Sequence, residues 1–200
     1  VFVGDTALKS EVIRIKGNVA QVQVYEMTDG IQCGDSVEFT GDMLSADLGP
    51  GLLGQIYDGL QNPLPVLAEQ AGWFSERGIY ADGLNTEKKW EFTPTAQVGN
   101  IVRAGEYIGT VPEGPFTHKI FVPFYLLGNY TVKSIAEKGE YTVKETIAVL
   151  TDERGREIPV SMSFKWPVKR AVKCYSERLA PIETMETKVR LIDSYFPVAK

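Results

Sequence analysis

Few residues in this chain are of a type and spacing that could do chemistry. The single histidine is His118, set between Thr117 and Lys119 in a run of strand character. Nucleophilic catalysis needs a base within hydrogen-bond reach of a serine or cysteine, and nothing near His118 in sequence supplies that partner, so it reads as a surface strand histidine. Zinc needs a cluster of cysteine and histidine ligands; Cys33 and Cys174 lie far apart and read as free thiols. Asp152-Glu153 is an acidic pair inside turn sequence, where solvation and backbone hydrogen bonds account for it. Trp73, Trp90 and Trp166 could stack a ligand, but beside prolines and apolar runs they read as packing anchors. The most suggestive segment is Gly49-Pro50-Gly51-Leu52-Leu53-Gly54. Three glycines in six residues resemble a phosphate cradle, yet the Gly-Lys-Ser/Thr tail that reaches phosphate and metal is missing. It reads instead as a tight crossover in which glycine permits close backbone approach, followed by an apolar turn through Leu52, Leu53, Ile56 and Leu60. No catalytic, cofactor-binding or metal-binding residue is therefore expected.

The elements around these residues are mostly strands. Glu11–Lys16 and Val19–Tyr25 alternate polar with β-branched side chains across Gly17-Asn18, the period of half-buried strands joined by a tight hairpin. Turns at Thr28-Asp29-Gly30 and Thr40-Gly41-Asp42, with a short strand at Ser36–Thr40, give the spacing of a small closed barrel. Pro63 and Pro65 are expected to end that unit as a linker. A short helix is predicted over 66–78, with Leu67, Ala71 and Phe74 on one face. From Lys88 onward strands and turns repeat through Val102–Val111, His118–Val122, Tyr130–Ile135, Tyr141–Val143, Ile147–Leu150 and Ile158–Phe164, the pattern of a flattened barrel or sandwich. Tyr141–Val143 through Ile147–Leu150 is expected to form a hairpin with Ile158–Phe164, turning at Asp152–Arg156. Lys188–Phe196 has helical spacing before Pro197.

Composition narrows the function classes. The 200 residues are 44% hydrophobic and 24% charged, enough for real cores. A net charge of -5 and a pI near 5.1 offer no basic face for nucleic acid. The longest apolar run, Ile120–Leu127, is far short of the ~20 residues of a membrane span, so any membrane association is expected through partners. The opening Val1-Phe2-Val3-Gly4 has no signal-peptide character and reads as a strand already under way, as though the chain begins within a domain.

The run Leu44-Ser45-Ala46-Asp47-Leu48-Gly49-Pro50-Gly51-Leu52-Leu53-Gly54-Gln55-Ile56-Tyr57-Asp58-Gly59-Leu60 resembles the catalytic A subunits of V/A-type rotary ATPases. Gly17–Glu26, Gly34–Val37, Lys88–Phe92, His118–Ile120, Gly139–Val143 and Lys165–Val168 extend the resemblance over nearly the whole chain. Thr187–Pro197 is similar to that family's Thr-Gly-x-Arg-x-Ile-Asp-x-x-Phe-Pro segment, with Lys188 in place of the glycine.

The resemblance implies a mainly β protein. It comprises an N-terminal β-barrel over 1–65 whose first strand is expected to be missing, a β-rich bulge or non-homologous domain over 66–180, and the start of an α/β nucleotide-binding domain over 181–200. The bulge separates the A subunit from the B subunit and from F-type α and β subunits. It also implies that the Gly-x-x-x-x-Gly-Lys-Thr loop, and with it ATP and Mg binding, lies beyond Lys200. Partners implied are the B subunit and further A subunits in a hetero-hexameric head, and the peripheral stalk, at the cytoplasmic face of a membrane. Two other readings stay open: a stand-alone β interaction module, and a biotinyl- or lipoyl-like carrier with Lys119 as the attachment point, although no Met-Lys-Met or Asp-Lys-Ala tip motif is present.

Overall fold

The computed structural model describes residues 1–72, 76–175, 177 and 179–200. Trp73 and Phe74, singled out above, lie outside the described residues. Strands make up 39% of the chain and helix 7%, so the mainly β expectation holds.

Chain order is β1 (Phe2–Val3), β2 (Leu8–Lys16), β3 (Val19–Val24), β4 (Val37–Glu38), β5 (Ser45–Leu48), α1 (Leu64–Ala71) and β6 (Lys89–Pro94). It continues with β7 (Ile101–Val102), β8 (Tyr107–Glu113), β9 (Phe116–Phe121), β10 (Tyr130–Ile135), β11 (Gly139–Thr142), β12 (Thr146–Thr151), β13 (Glu157–Ser161) and β14 (Phe164–Pro167). The last elements are β15 (Thr184–Met185), α2 (Arg190–Tyr195) and β16 (Val198–Ala199).

The first sheet runs β3-β2-β1-β4. Its hairpin forms where the alternation places it, with Lys16 opposite Val19. Gly17 takes φ 58 at the first corner, a conformation that an L side chain adopts only at a cost and that suits the twist of a two-residue hairpin. A register shift between Val12 and Arg14 breaks the simple alternation. Beyond it Ile15 and Val19 stand 72% and 69% exposed, so this end of the hairpin buries no core within the chain.

Two four-stranded sheets, β13-β12-β10-β7 and β11-β6-β8-β9, enclose the main core. Alternation, interrupted by register shifts in β8 and β12, selects the inward residues: Trp90 and Phe92 from β6, Ile108 and Val111 from β8, Ile120 from β9, Val132 from β10, Ile147 and Leu150 from β12 and Val160 from β13. Full burial of such a side chain stabilises by about 1.5–3 kcal/mol, so this cluster dominates the fold. The expected hairpin turning at Asp152–Arg156 forms, β12 pairing with β13 across it, but the arm read as running from Tyr141 through Leu150 is divided. β11 pairs with β6 while β12 pairs with β10 and β13, so these neighbours in sequence belong to opposite sheets. Both Val143 and Ile147 are buried; the connection crosses the core rather than folding back along one face.

Pro63 and Pro65 lie at the start of a helix. Pro63 is the N-cap of α1 with φ -65 and ψ 120, and Pro65 sits in its first turn, where the missing amide proton costs nothing and the fixed φ favours the helix. The helix stops at Gly72. The expected apolar turn after the crossover forms two separate turns, at Leu53-Gly54 and Gly59-Leu60, and no helical run, with Leu53 and Ile56 exposed and Tyr57 bridging to Pro63.

β5 pairs along its whole length with β14, Leu48 facing Phe164 and Ser45 facing Pro167. The Gln61 side chain covers the other edge of β5: its Oε1 accepts from the Asp47 amide and its Nε2 donates to the Asp47 carbonyl, both at 2.7 Å. A primary amide there substitutes for one residue of a neighbouring strand.

Near the C-terminus β15 and β16 pair around α2. Asp193 accepts from the Thr187 amide at 3.0 Å, the Thr187 hydroxyl at 2.6 Å and the Lys188 amide at 3.1 Å. These bonds, the Thr187 hydroxyl first, hold its carboxyl below the usual range. Lys188 takes φ 63, the left-handed region, which costs a β-carbon residue about 1–2 kcal/mol. The position where the resembling family has glycine is thus one where the backbone needs it. Lys188→Gly is expected to stabilise the β15–α2–β16 unit by about 0.5–1 kcal/mol, once the greater freedom of glycine in the unfolded chain is subtracted. Slower amide exchange at Thr187 would report the gain; unchanged or faster exchange would refute it.

Candidate functional site

The crossover singled out for its glycines is built into the interior. Gly49 lies so close to Ser163 that an added β-carbon would stand 2.9 Å from the Ser163 β-carbon, which fixes it as glycine by contact. Gly51 takes φ 107, a conformation open to glycine.

With the chain turned this way, the amides of Gly51 and Leu53 both donate to Glu113 Oε1, at 2.6 and 3.2 Å. Glu113 Oε2 lies 2.6 Å from His118 Nδ1. The carboxylate is 6% exposed and the imidazole 23%. An anion does sit on the glycine-rich loop, therefore, but it is a side chain of the same molecule. No lysine or arginine lies within residues 49–54, and the loop does not offer the cationic partner that phosphate chemistry requires.

His118 is not the free surface histidine its sequence context suggests. It stands on β9 opposite Val111, with its Nδ1 committed to Glu113. Sequence reasoning missed Glu113 altogether. A usable indication was present: beyond the register shift between Tyr107 and Gly109, every second residue of β8 faces inward, through Gly109 and Val111 to Glu113.

Beside this cluster a cleft of about 880 Å³ opens, lined among others by Lys9, Tyr57, Tyr80, Asp82 and Lys88. Its charges are mixed in sign. The Tyr57 hydroxyl donates to the Gly83 carbonyl at 2.9 Å, and burial, with the nearby Glu113 charge, raises its pKa. Tyr80 donates to Glu26 and accepts from the Lys9 amide at 2.7 Å; burial first, then Glu26, pushes it up to about 12. Desolvation lowers the ammonium of Lys9, which lies 4.1 Å from the Tyr80 ring centroid. These groups fasten the first sheet to the segment after α1. They do not form a nucleophile–base pair.

Asn62, 2% exposed, is another buried polar residue that the sequence did not disclose. Asp58 accepts from the Asn62 amide and from its side-chain Nδ2, and Asn62 Oδ1 accepts from the Ala81 amide. The arrangement closes the Asp58–Asn62 turn onto the segment after α1.

Trp90 and Trp166 are packing residues, 6% and 8% exposed. Trp166 Nε1 donates to the Arg170 carbonyl at 2.8 Å. Asp152 behaves as its turn predicts, accepting from the amides of Arg154 and Arg156 and from Arg156 Nε. Lys119 lies within β9 opposite Thr110, its ammonium 4.9 Å from the Tyr107 ring centroid, whereas a carrier lysine belongs at a hairpin tip. Among the described residues no three His, Cys, Asp or Glu side chains converge to hold a metal ion, and no helix is long and apolar enough to cross a membrane.

An open antiparallel sheet followed by a two-sheet barrel-sandwich, joined by a glycine crossover, defines a class. Residues 81–169 match the ATP synthase alpha/beta subunit barrel-sandwich domain, and residues 3–41 match the β-barrel domain of the ATP synthase alpha/beta family. Together the two take in more than half of the chain, which belongs to the ATP synthase alpha/beta family. Its relatives there are V-type. The V-type ATP synthase alpha chain of Treponema denticola is 63% identical over 200 residues, which is all of this chain and 34% of the relative. V-type ATP synthase alpha chain 1 of Treponema pallidum is 52% identical over the same span, again 34% of its length. The Borreliella burgdorferi alpha chain is 53% identical over 193 residues, 96% of this chain and 34% of that one. The chain thus spans about a third of the length of these curated relatives.

Proposed function

We propose that this chain is the N-terminal part of the catalytic subunit of a bacterial V/A-type rotary ATPase, which makes or hydrolyses ATP coupled to proton or sodium transport. The observation that carries the reading is the 63% identity, maintained over all 200 residues, to a protein named V-type ATP synthase alpha chain. The division into a barrel over 1–65, a bulge domain over 66–180 and the start of a nucleotide-binding domain over 181–200 is part of the proposal.

In this reading these residues serve assembly. The barrel-type sheet packs in a hetero-hexameric head with B subunits and further A subunits, and the sandwich meets the peripheral stalk at the cytoplasmic face of the membrane. The exposed Ile15 and Val19 at the end of the first hairpin support a partner there. ATP and Mg bind beyond this chain, because the amides of its one glycine-rich crossover are taken by Glu113.

The 200-residue chain titrated with millimolar Mg-ATP is expected to give no saturable heat, whereas the longer polypeptide assembled with its B subunit hydrolyses ATP. Deleting residues 98–164 from that longer subunit should weaken stalk association and spare hydrolysis by the isolated head. Stoichiometric, Mg-dependent nucleotide binding by the 200-residue chain would overturn the reading, and unchanged stalk association would overturn the role given to the sandwich.

A further inference from the structure

Glu113 is the last residue of β8, beside the Gly114-Pro115 turn, a place where a glutamate ordinarily extends into water. Here it is 6% exposed. Withdrawing a carboxylate from water is costly unless its oxygens are matched by donors. Oε1 takes the amides of Gly51 and Leu53, and Oε2 takes His118. We infer that the Gly49–Gly54 crossover is a carboxylate receptor whose resident ligand is the Glu113 side chain, and that the filled receptor is a latch fastening the crossover to the sandwich.

Three features carry this. The donors from the crossover are backbone amides aimed at a single oxygen, a concave arrangement that attracts an anion without any cationic side chain. Gly51 is required for its φ of 107, and its position against the Trp90 ring, which an added β-carbon would touch at 3.4 Å, packs the loop on the core and holds its amides in place. The third donor, His118, comes from β9, so the receptor is assembled from two parts of the fold and its occupant joins them. The shape suits one planar carboxylate.

The experiment uses the 200-residue chain, amide exchange at Gly51 and Leu53, and sodium formate as probe, with sodium chloride at equal ionic strength as control. In Glu113→Ala those two amides should exchange about 10- to 100-fold faster than in the parent, the range expected for losing a charge-assisted bond, while Val132 and Leu150 in the sandwich core stay protected. Rising formate should restore protection saturably, chloride should not, and the parent should respond to neither. Equal exchange in Glu113→Ala and the parent would overturn the inference, as would formate and chloride acting alike. Should Glu113→Ala fail to fold, Glu113→Gln supplies the reading, since it keeps an acceptor without the charge. Exchange at Gly51 and Leu53 is then expected to rise about 3- to 10-fold, and no rise at either amide would overturn the inference. None of these outcomes depends on the assignment to a rotary ATPase.

Discussion

Phe92→Ala is expected to destabilise the sandwich by about 3–5 kcal/mol, the range for removing a fully buried aromatic ring and leaving its space unfilled. Phe92 is wholly buried on β6 and meets Tyr141 of β11 edge to face, ring centroids 6.2 Å apart at 84°. It stands at the centre of the cluster that both sheets share, and the antiparallel strands around it cannot collapse inward without breaking ladder hydrogen bonds. Denaturant unfolding followed by tryptophan fluorescence, with Trp90 two residues away on the same face, would measure the loss. A cost below about 1.5 kcal/mol would show that the ring contributes little packing.

Gly109→Ala is the counterpart, expected to cost about 2–3 kcal/mol by overpacking. Gly109 lies on β8 beneath the same ring: a β-carbon there would stand 2.1 Å from one Phe92 ring carbon and 2.4 Å from another, with the Thr93 carbonyl oxygen at 3.0 Å. Its backbone is not left-handed, so contact alone excludes a side chain. Because both penalties arise at one contact, they should not add. In a Phe92→Ala background the new methyl group enters the space vacated by the ring, and the double variant should fall short of the summed costs by about 1.5 kcal/mol or more. Additive costs would mean that the Gly109 penalty comes from the Thr93 carbonyl and the strand backbone instead.

What could be read ahead of the structure follows from how local each cause is. The β2–β3 hairpin was legible because two residues, Gly17 and Asn18, impose the turn and the flanking alternation fixes the face. Asp152 was legible for the same reason, as its partners lie within the next four residues. The pairing of β5 with β14 was not, since four-residue strands far apart in the chain carry no mark of one another. The hairpin turning at Asp152–Arg156 was legible from its turn residues, but the division of its first arm into β11 and β12 was not; buried apolar residues on both sides of the break, Val143 and Ile147, route the chain through the core.

The site shows the same division. Absence of a lysine after the glycines argued against a phosphate loop from sequence alone, but the actual occupant of those amides lies 60 residues onward from Leu53. Only the inward parity of β8 pointed to Glu113. The glycine for lysine exchange at position 188 was visible from the family resemblance, and its meaning became physical only with the φ of 63.

The pairing of β5 with β14 has a mechanical consequence. Residues 49–163 leave and return through adjacent ends of one antiparallel pair, Leu48 facing Phe164. A load that pulls the sandwich away from the rest of the chain is met first at that rung and then at successive rungs toward Ser45 and Pro167, so the pair opens like a zipper rather than shearing all its bonds together. A force that slides one strand along the other, by contrast, engages every rung at once. The same seam is compliant to tension across it and stiff to shear along it.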